Sequence, residues 1–460
     1  MSTQTGDTLS RTTKILIDRD NKSIIQAESQ AAGLVLQIDV DNSAFQSPTL
    51  SAALLTTVNA GARAFEGGVH VKFGGDVVIA NGWESGQLMS VAAERYGGSL
   101  RDKLSAAYPT IAFGASKRVT GSVVVNATWS GWSGGVVDDT SKRLDERQGN
   151  TLSAVLAGAV AVSECFQNAI GDIVAARRDT GLSLWSLDSD WLSLESFGPE
   201  LRFLPANVWL VGLGHLGQAY CWLLGSLHYA VTNQPRVVLQ DVDRLVMGNH
   251  STSLLALRSD IEAAPLKTRL ISNRLEGRGF STSIIERAFD TDTRRQRSEP
   301  AIVLAGLDNH AARRALSTAG FERIIDAGLG SRHDRYLDIL VHSLGNGFDA
   351  DSVFPEPAMP VEDHLPSRYE EEVARRVAAE CMSEEVARCG VVELAGKSVG
   401  AAFVGATAAA LVIAEAIRPL HGGHSYSLAS VNLSHLKGLR FSTDPIDRRL
   451  ARVGFIRNSR

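Results

Sequence analysis

Three glycines in the middle of the chain have the spacing of a phosphate-binding turn. Gly212, Gly214 and Gly217 follow the apolar run Val208–Val211 and precede a helix-like run that ends at Leu227. Glycines at this spacing let the backbone turn tightly and approach a phosphate, and the helix N-terminus offers unpaired N–H groups and a partial positive charge. The pattern predicts a nucleotide site, with packing glycines at an ordinary βαβ corner as the alternative.

Four polar residues after the glycine turn extend this prediction. Asp241 and Asp243 close the next apolar strand, Asn249 lies eight positions after Asp241, and Lys267 begins a later helix. An acid at that strand end can bind a ribose hydroxyl, and a lysine neutralises phosphate charge. The alternative for Lys267 is a solvated lysine on a helix surface.

A third polar group follows the apolar strand Ala301–Ala305. It consists of Asp308, Asn309 and, one helical turn later, Arg313. An aspartate here could hold Mg²⁺, which prefers one or two carboxylates together with phosphate oxygens. The alternatives are an N-cap at Asp308-Asn309 and a surface arginine. Because strand C-termini and helix N-termini share one sheet edge, we expect all these residues to meet there and to bind a nucleotide and Mg²⁺ at a site that can cleave phosphate.

Composition excludes several other classes of function. The 460 residues carry a formal net charge of −5, which argues against nucleic acid as the main ligand. The four cysteines form no CxxC pair, so neither a disulfide framework nor a four-thiolate zinc site is predicted. The N-terminus lacks the apolar core of a signal peptide. The apolar run Ser398–Ile417 contains Glu415 and is predicted to be a buried helix rather than a membrane span, so we expect a cytoplasmic protein.

The remaining elements alternate between strands and helices, which favours an α/β fold with mostly parallel sheets. In the first half we predict strands at Lys14–Arg19, Leu34–Val40, Val69–Phe73, Val77–Ala80, Thr110–Phe113 and Gly121–Ala127, helices at Leu50–Phe65, Ser85–Tyr96 and Leu152–Ala169, and a loop at Trp129–Gln148.

The two halves of the chain resemble each other. Thr110–Ala127 is similar to Ile324–Ser343, and Leu152–Glu164 is similar to Val399–Glu415. Internal similarity indicates a duplication, with chance likeness of Ala-rich helices as the alternative. We predict a domain at 1–190 without a nucleotide motif and a second domain at 200–460, packed as a pseudo-dimer. The second copy has a longer crossover, about 345–397.

The polar pattern of the second half resembles the ThiF/MoeB/E1 superfamily, whose fold is a Rossmann-type α/β sheet. The resemblance covers about 201–420 and includes the glycine motif, the DxD pair, Asn249, Lys267 and the Asp308-Asn309-Arg313 group. Relatives adenylate the C-terminal glycine of ubiquitin-like proteins. The resemblance implies that Asp241 binds ribose, that Asn249 and Lys267 contact phosphates, and that Asp308 holds magnesium.

The resemblance also implies a catalytic thiol in the crossover. Cys389 precedes the Gly-rich helix and is the predicted thioester residue; Cys381 is the competitor, and a buried structural cysteine is the alternative. The chain departs from the family at Thr252, where relatives carry an arginine. We expect Arg11 to supply the missing cation. The paired CxxC zinc motifs and a large cysteine domain are absent from the sequence.

The predicted function is ATP-dependent activation of a ubiquitin-like protein and its transfer to an E2-type protein. The compact layout resembles the E1-like proteins of Bil-type bacterial conjugation operons, which act in antiphage defence. Three alternatives stay open: an adenylating relative without an E2, such as a sulfur-transfer or tRNA-dehydratase enzyme; an NAD-dependent oxidoreductase; and a binding module that has lost activity. We expect no membrane and no nucleic-acid partner, and a further homo-oligomer is compatible with the sequence.

Overall fold

The computed structural model describes residues 9–116, 118–230, 234–356, 367–380, 383–443 and 455–457. The elements of the N-terminal half are, in chain order, α1 (Arg11–Asp20), α2 (Ile24–Ala32), β1 (Val35–Val40), α3 (Leu50–Ala64), β2 (Gly68–Phe73), α4 (Met89–Arg95), β3 (Gly98–Leu100), β4 (Thr110–Phe113), β5 (Val124–Ser130), β6 (Ser133–Val137), α5 (Thr151–Ala169) and β7 (Thr180–Ser183).

The elements of the C-terminal half follow a short linker. They are, in chain order, β8 (Phe203–Pro205), β9 (Asn207–Val211), α6 (His215–Ser226), β10 (Arg236–Gln240), α7 (Arg258–Ile261), α8 (Lys267–Glu276), β11 (Ser281–Ile285), β12 (Ile302–Ala305), α9 (His310–Ala315), β13 (Arg323–Leu329), β14 (Asp338–Gly345), α10 (Ala350–Val353), α11 (Ser367–Glu380), α12 (Glu384–Gly396), α13 (Ala402–Ile417), β15 (Tyr426–Asn432), β16 (Arg440–Thr443) and β17 (Phe455–Arg457). Short 3-10 turns lie between several of these elements.

The two halves contain sheets of the same topology. The N-terminal sheet has the order β3-β2-β1-β4-β5-β6-β7, and the C-terminal sheet has the order β11-β10-β9-β12-β13-β14-β15-β16. In each sheet the first five strands of that order are parallel and the following ones are antiparallel. The predicted fold class, two Rossmann-type α/β sheets, is confirmed.

The alignment of the two copies that the sequence suggested is wrong by one strand. Topology pairs β4 with β12 and β5 with β13, so Thr110–Ala127 does not correspond to Ile324–Ser343. The described residues between β4 and β5 form no helix, whereas α9 lies between β12 and β13. Because the first copy lacks this helix, its β4–β5 segment has the same strand–glycine–strand pattern as the β13–β14 hairpin.

Three other local predictions are also wrong. Lys14–Arg19 lies within helix α1, Val77–Ala80 makes only an isolated bridge at Val78, and the predicted loop Trp129–Gln148 contains β6. The run KILIDR is too short for its periodicity to distinguish a strand from a helix. In the structure its three consecutive apolar residues, Ile15 to Ile17, are all buried.

The halves meet through their apolar helices, α3 and α5 from the first half and α6 and α13 from the second. The ring centres of Phe166 and Phe403 lie 5.7 Å apart across this interface. At its edge the indole of Trp83 stacks on that of Trp222 at 5.6 Å, and Trp83 Nε1 donates a 2.8 Å hydrogen bond to the Trp222 carbonyl. The interface therefore combines apolar burial with directional contacts.

A buried ion pair in the first half reaches into the second. Glu164, near the end of α5, has a fully buried side chain and accepts hydrogen bonds from Arg178 at 2.7 and 3.1 Å. Another nitrogen of Arg178 donates to the carbonyl of Ser434 at 2.7 Å. A buried carboxylate is tolerated only when it is paired and hydrogen-bonded, and here that pairing also joins the halves.

The second half contains the equivalent contact in the opposite direction. Glu415, near the end of α13, pairs with Arg418 at 2.9 Å, and Arg418 Nε donates to the carbonyl of Leu184 at 3.0 Å. Leu184 follows β7 as Ser434 follows β15. The two glutamates thus occupy similar places at the ends of α5 and α13, and each pairs with an arginine that contacts the opposite half.

Two helices are long and apolar enough to cross a membrane, α5 and the run Ala402–His421 that includes α13. In each, 89% of the most apolar window is buried inside the protein. Burial to this extent is typical of helices in the core of a protein. It agrees with the prediction of a buried helix at Ser398–Ile417.

The interface predicts a large effect of one substitution at its edge. Trp83→Ala removes a buried aromatic ring and a hydrogen bond between the halves, so we expect the free energy of unfolding to fall by about 3–5 kcal/mol. Val91→Ala, on an exposed position of α4, is the control and should change it by less than about 0.5 kcal/mol. Urea unfolding measures both, and equal small changes would contradict this account of the interface.

Candidate functional site

The glycine turn joins β9 to α6, and its three glycines serve different purposes. Gly212 has a φ of +79°, a left-handed conformation that favours glycine. A Cβ atom on Gly217 would lie 1.9 Å from the carbonyl oxygen of Gly212, so this glycine lets α6 pack against the turn. A Cβ atom on Gly214 would meet nothing within 4 Å. Only at Gly214, therefore, would an added methyl group extend into open space.

The acidic pair after β10 lies beside this turn. The Asp241 carboxylate accepts hydrogen bonds from the N–H groups of Leu213 at 2.6 Å and Asp243 at 2.7 Å. Lys267, whose side chain is only 8% exposed, donates to Asp243 at 2.7 Å. The side chain of Asp243 is 62% exposed, so water weakens the attraction between the two charges. Lys267 therefore lies at the wall of the cleft with an ion-pair partner that binds it only weakly.

Asp308, Asn309 and Arg313, which follow β12, each lie in a different local environment. The Asn309 side chain accepts hydrogen bonds from two N–H groups in the first turn of α9, so the N-cap interpretation is correct for Asn309. Arg313 makes a two-pronged ion pair with the fully buried carboxylate of Asp326. Asp308 is exposed, and within the described part of the chain its side chain has no hydrogen bond or ion pair.

The N-terminal half supports the loop that carries Asn249 and Thr252. Arg63, on α3, donates to the carbonyls of Ser253 at 3.1 Å and Ala256 at 2.8 Å. Burial lowers the pKa of Arg63 to about 10, so the guanidinium stays charged at neutral pH. The loop is thereby fixed by a cation from the opposite half.

Arg11 reaches the same loop from the first turn of α1. Its backbone N–H donates to Ser251 Oγ at 3.2 Å, and its guanidinium donates to the carbonyl of Ser398 at 3.2 Å. Arg11 and Thr252 both line the cleft. The structure thus brings a cation of the first half to the region where the sequence lacks the family arginine.

These groups surround one cleft of about 820 Å³ at the carboxyl ends of the C-terminal sheet. The volume falls within the range of small-molecule sites, roughly 300–1,000 Å³. The predicted residues that line it are Gly212, Gly214, Asp241, Asp243, Asn249, Lys267, Asp308, Asn309 and Arg313. Gly217 lies behind the turn and is the one predicted glycine outside this lining.

The candidate thiols lie in the crossover. Cys389 belongs to α12, but its side chain lies outside the described residues, as does the whole of Cys381. Cys165 and Cys221 are buried, and burial raises the pKa of both thiols far above the usual range. A nucleophilic role needs the thiolate, so Cys165 and Cys221 are unsuited to it.

Three residues of the site were missed in the sequence. Asp326 and Arg63 act through long-range pairing, and no local pattern marks either. His215 lies between Gly214 and Gly217, and a histidine at that position could have been recognised in the sequence as a candidate site residue. A Cβ atom on Gly405 would lie 2.5 Å from the His215 ring, so the ring packs closely against α13. Burial lowers the pKa of His215 to about 4, which keeps the ring neutral.

The described residues contain no cluster of three or more His, Cys, Asp or Glu that could hold a metal. Magnesium bound with a nucleotide needs only one or two protein carboxylates, because phosphate and water oxygens complete its coordination. Exposed Asp308, at the edge of the cleft, is a donor of the type that such a site requires.

Solved structures with some likeness to the chain include two kinds of E. coli enzyme. MccB is 16% identical with a TM-score of 0.34, covering 52% of this chain and 62% of its own. The tRNA N6-threonylcarbamoyladenosine dehydratase TcdA is 14% identical with a TM-score of 0.29, covering 47% and 86%. The chain thus spans less than two thirds of MccB, and at these scores the likeness supports no functional argument.

Comparison with protein families is more specific. The BilD N-terminal domain matches residues 35–184, and the BilD C-terminal domain matches residues 204–423. The bacterial E1-like protein BilD of Collimonas sp. (strain OK412) is 34% identical over 394 residues, which is 85% of this chain and 84% of that protein. The N-terminal sheet, strands β9 to β14 of the C-terminal sheet and every lining residue of the cleft except Arg11 lie within these matches. The chain belongs to the BilD family of bacterial E1-like proteins.

Proposed function

We propose that the chain uses ATP to adenylate the C-terminal carboxylate of a ubiquitin-like protein, and then passes the acyl group through Cys389 to an E2-like protein in the bacterial cytoplasm. The observation that carries the proposal is the convergence of four distant segments, 212–216, 241–249, 267 and 308–313, on one cleft. Membership of an E1-like family supports the same chemistry.

ATP fits the charge and shape of this cleft. The open face of Gly214 and the N-terminus of α6 suit phosphate oxygens, because backbone N–H groups and the helix dipole favour negative charge there. Lys267 and Arg11 supply cations, and Asp241 lies where an acid would meet the ribose. Asp308 would hold magnesium, whose charge offsets that of the phosphates when it is bound.

The proposed reaction has three steps: adenylation of the carboxylate, formation of a thioester, and transfer of the acyl group to a second thiol. A carboxylate oxygen of the protein substrate attacks the α-phosphorus, the bond to the β-phosphate oxygen breaks, and pyrophosphate leaves. The Cys389 thiolate then attacks the acyl carbon, AMP leaves and a thioester forms. A thiolate of the E2-like protein attacks that thioester and releases Cys389. The cleft contributes orientation and charge neutralisation to the first step.

The proposal assigns activity to the domain at 200–460 and a supporting role to the domain at 1–190. In the first half, the segment after β1 that corresponds to the glycine turn is a 3-10 turn, Asn42–Gln46. That turn contains no glycine, and helix α3 begins only at Leu50. The segment after β1 thus has neither the glycine turn nor the adjacent helix N-terminus of the second half, which supports an inactive half within a pseudo-dimer.

The alternatives explain fewer of these positions. A dehydrogenase needs the glycine turn and Asp241 but has no use for Lys267 or for exposed Asp308. A binding module without activity has no use for a charged cleft at the strand ends. An adenylating enzyme without an E2 shares the first step and differs only at Cys389, so measurements on the thiol distinguish it.

Pyrophosphate exchange into ATP tests the first step, with a ubiquitin-like protein that ends in glycine as substrate. We expect exchange only when that protein is present, and we expect Asp308→Asn to reduce it by ~100-fold or more because a charge that holds the metal is lost. Asp188→Asn, at an exposed position of the first half, is the matched control. Tight NAD binding without exchange would refute the proposal, and normal exchange by Asp308→Asn would remove Asp308 from the metal site.

The glycine turn offers a test of nucleotide binding that is separate from stability. Gly214→Ala adds a methyl group on the open side of the turn, so we expect ATP to bind roughly tenfold more weakly, or about 1.4 kcal/mol. Gly217→Ala creates a clash with the Gly212 carbonyl, so it should lower the free energy of unfolding by about 1–3 kcal/mol. Calorimetric titration and urea unfolding measure the two quantities. Unchanged ATP affinity in a folded Gly214→Ala protein would place the phosphates elsewhere.

The thiol assignment has its own measurement. With ATP and the ubiquitin-like protein, we expect a covalent adduct that thiol reagents reverse. Cys389→Ala should abolish it while exchange continues, and Cys381→Ala should retain it, because adenylation precedes the thiol step. Non-reducing electrophoresis detects the adduct. An adduct that survives Cys389→Ala but is lost in Cys381→Ala would move the role to Cys381.

A further inference from the structure

Helix α1 belongs to the N-terminal half, yet its polar face lies against the C-terminal half. Arg11, Lys14 and Asp18 are spaced i, i+3 and i+7, which places them on one side of the helix. Seven residues span about 10.5 Å of helix axis. The helix therefore presents polar groups at two separated points along a single rigid element.

One end of this face lies in the nucleotide cleft. Arg11 lines the cleft and donates to the carbonyl of Ser398, which follows helix α12 and precedes α13. The backbone N–H of Val399 donates to the carbonyl of Ser331 at 3.0 Å. The C-terminal end of the crossover is thus tied both to α1 and to the wall of the cleft.

The other end of this face contacts α11, the first of the two helices that pack together in the crossover. The Tyr369 hydroxyl, on α11, donates a 2.7 Å hydrogen bond to Asp18 Oδ1. Lys14 pairs with Asp18 at 2.5 Å and lies 5.7 Å from the centre of the Tyr369 ring. Tyr369 is only 1% exposed, and Val373, one turn later, is 4% exposed. The crossover helix is therefore docked on the first half by a buried polar contact.

Helices α11 and α12 pack against each other, and Cys389 lies on α12. Buried Val391, also on α12, belongs to the main hydrophobic core, as Tyr369 and Val373 do. Both ends of the segment that carries the candidate thiol are consequently held by α1. A displacement of about 1 Å at a reacting group can cost on the order of 10²-fold in rate, so this docking bears on acyl transfer.

We infer that α1 joins the nucleotide cleft to the crossover helices, with Asp18 and Tyr369 as positioning residues for the attack of the Cys389 thiolate on the acyl carbon, the step in which AMP leaves. The inference rests on the proposed function. It extends that function by giving the inactive half a role in the second step of the reaction, beyond structural support.

The variant Tyr369→Phe removes the hydrogen bond and keeps the ring. Single-turnover thioester formation should slow by roughly tenfold, while pyrophosphate exchange changes by less than about twofold, because the cleft itself is untouched. Tyr229→Phe is the matched control, since Tyr229 makes a 2.7 Å hydrogen bond to the Pro205 carbonyl away from the crossover. It should leave both rates at the wild-type level. Asp18→Asn, which keeps an acceptor oxygen, should recover part of the thioester rate relative to Asp18→Ala.

Hydrogen–deuterium exchange provides a readout that needs no substrate. In Tyr369→Phe we expect amides of residues 367–396 to exchange about fivefold faster, as the loss of one hydrogen bond of this kind shifts local opening by about that factor. The same amides should be unchanged in Tyr229→Phe.

Parallel loss of exchange and thioester formation in Tyr369→Phe would overturn the inference, because α1 would then act on the cleft alone. So would unchanged thioester formation, or unchanged amide exchange in 367–396. If the wild-type protein catalyses pyrophosphate exchange but forms no thioester, the proposed function fails at its second step and the positioning role fails with it. Faster amide exchange in Tyr369→Phe would then show only that Tyr369 docks the crossover.

Discussion

The structure depends on burying two apolar helices, α5 and α13, that neither half can cover alone. Each is rich in Ala and apolar enough to resemble a membrane span, yet each is almost wholly buried. Exposing such surfaces to water costs about 25 cal/mol per Å² of apolar area. The two halves therefore stabilise each other through this shared interface.

Charge reinforces this dependence. The Glu164–Arg178 and Glu415–Arg418 pairs are buried, and each arginine donates to a backbone carbonyl of the opposite half. Removing one partner of such a pair would leave a buried charge uncompensated, at a cost of about 3–5 kcal/mol. A reciprocal contact therefore lies on each side of the interface, whereas the polar cleft belongs to the C-terminal sheet.

Besides helix α9, two connections distinguish the halves. The segment after β1 is a 3-10 turn, whereas the segment after β9 is the open glycine turn. The connection from β6 to α5 covers residues 138–150, but that from β14 to α13 covers 346–401 and contains α11 and α12. Arg11 then brings a cation of the first half to the cleft of the second, and Arg63 holds the loop that carries Asn249 and Thr252. The N-terminal half, whose turn after β1 contains no glycine, thus contributes side chains to the C-terminal half, which contains the glycine turn.

Local patterns of a few residues were enough to predict the glycine turn, the strand ends at Asp241 and Ala305, the helix start at Lys267, the cap at Asn309 and the α/β class. The fold alone revealed that Arg313 pairs with Asp326, that KILIDR is helical and that α1 contacts the crossover. Those outcomes depend on partners tens to hundreds of positions away or on burial. A short apolar run has no preference strong enough to override them, and local patterns in a single sequence do not reveal which distant groups will meet.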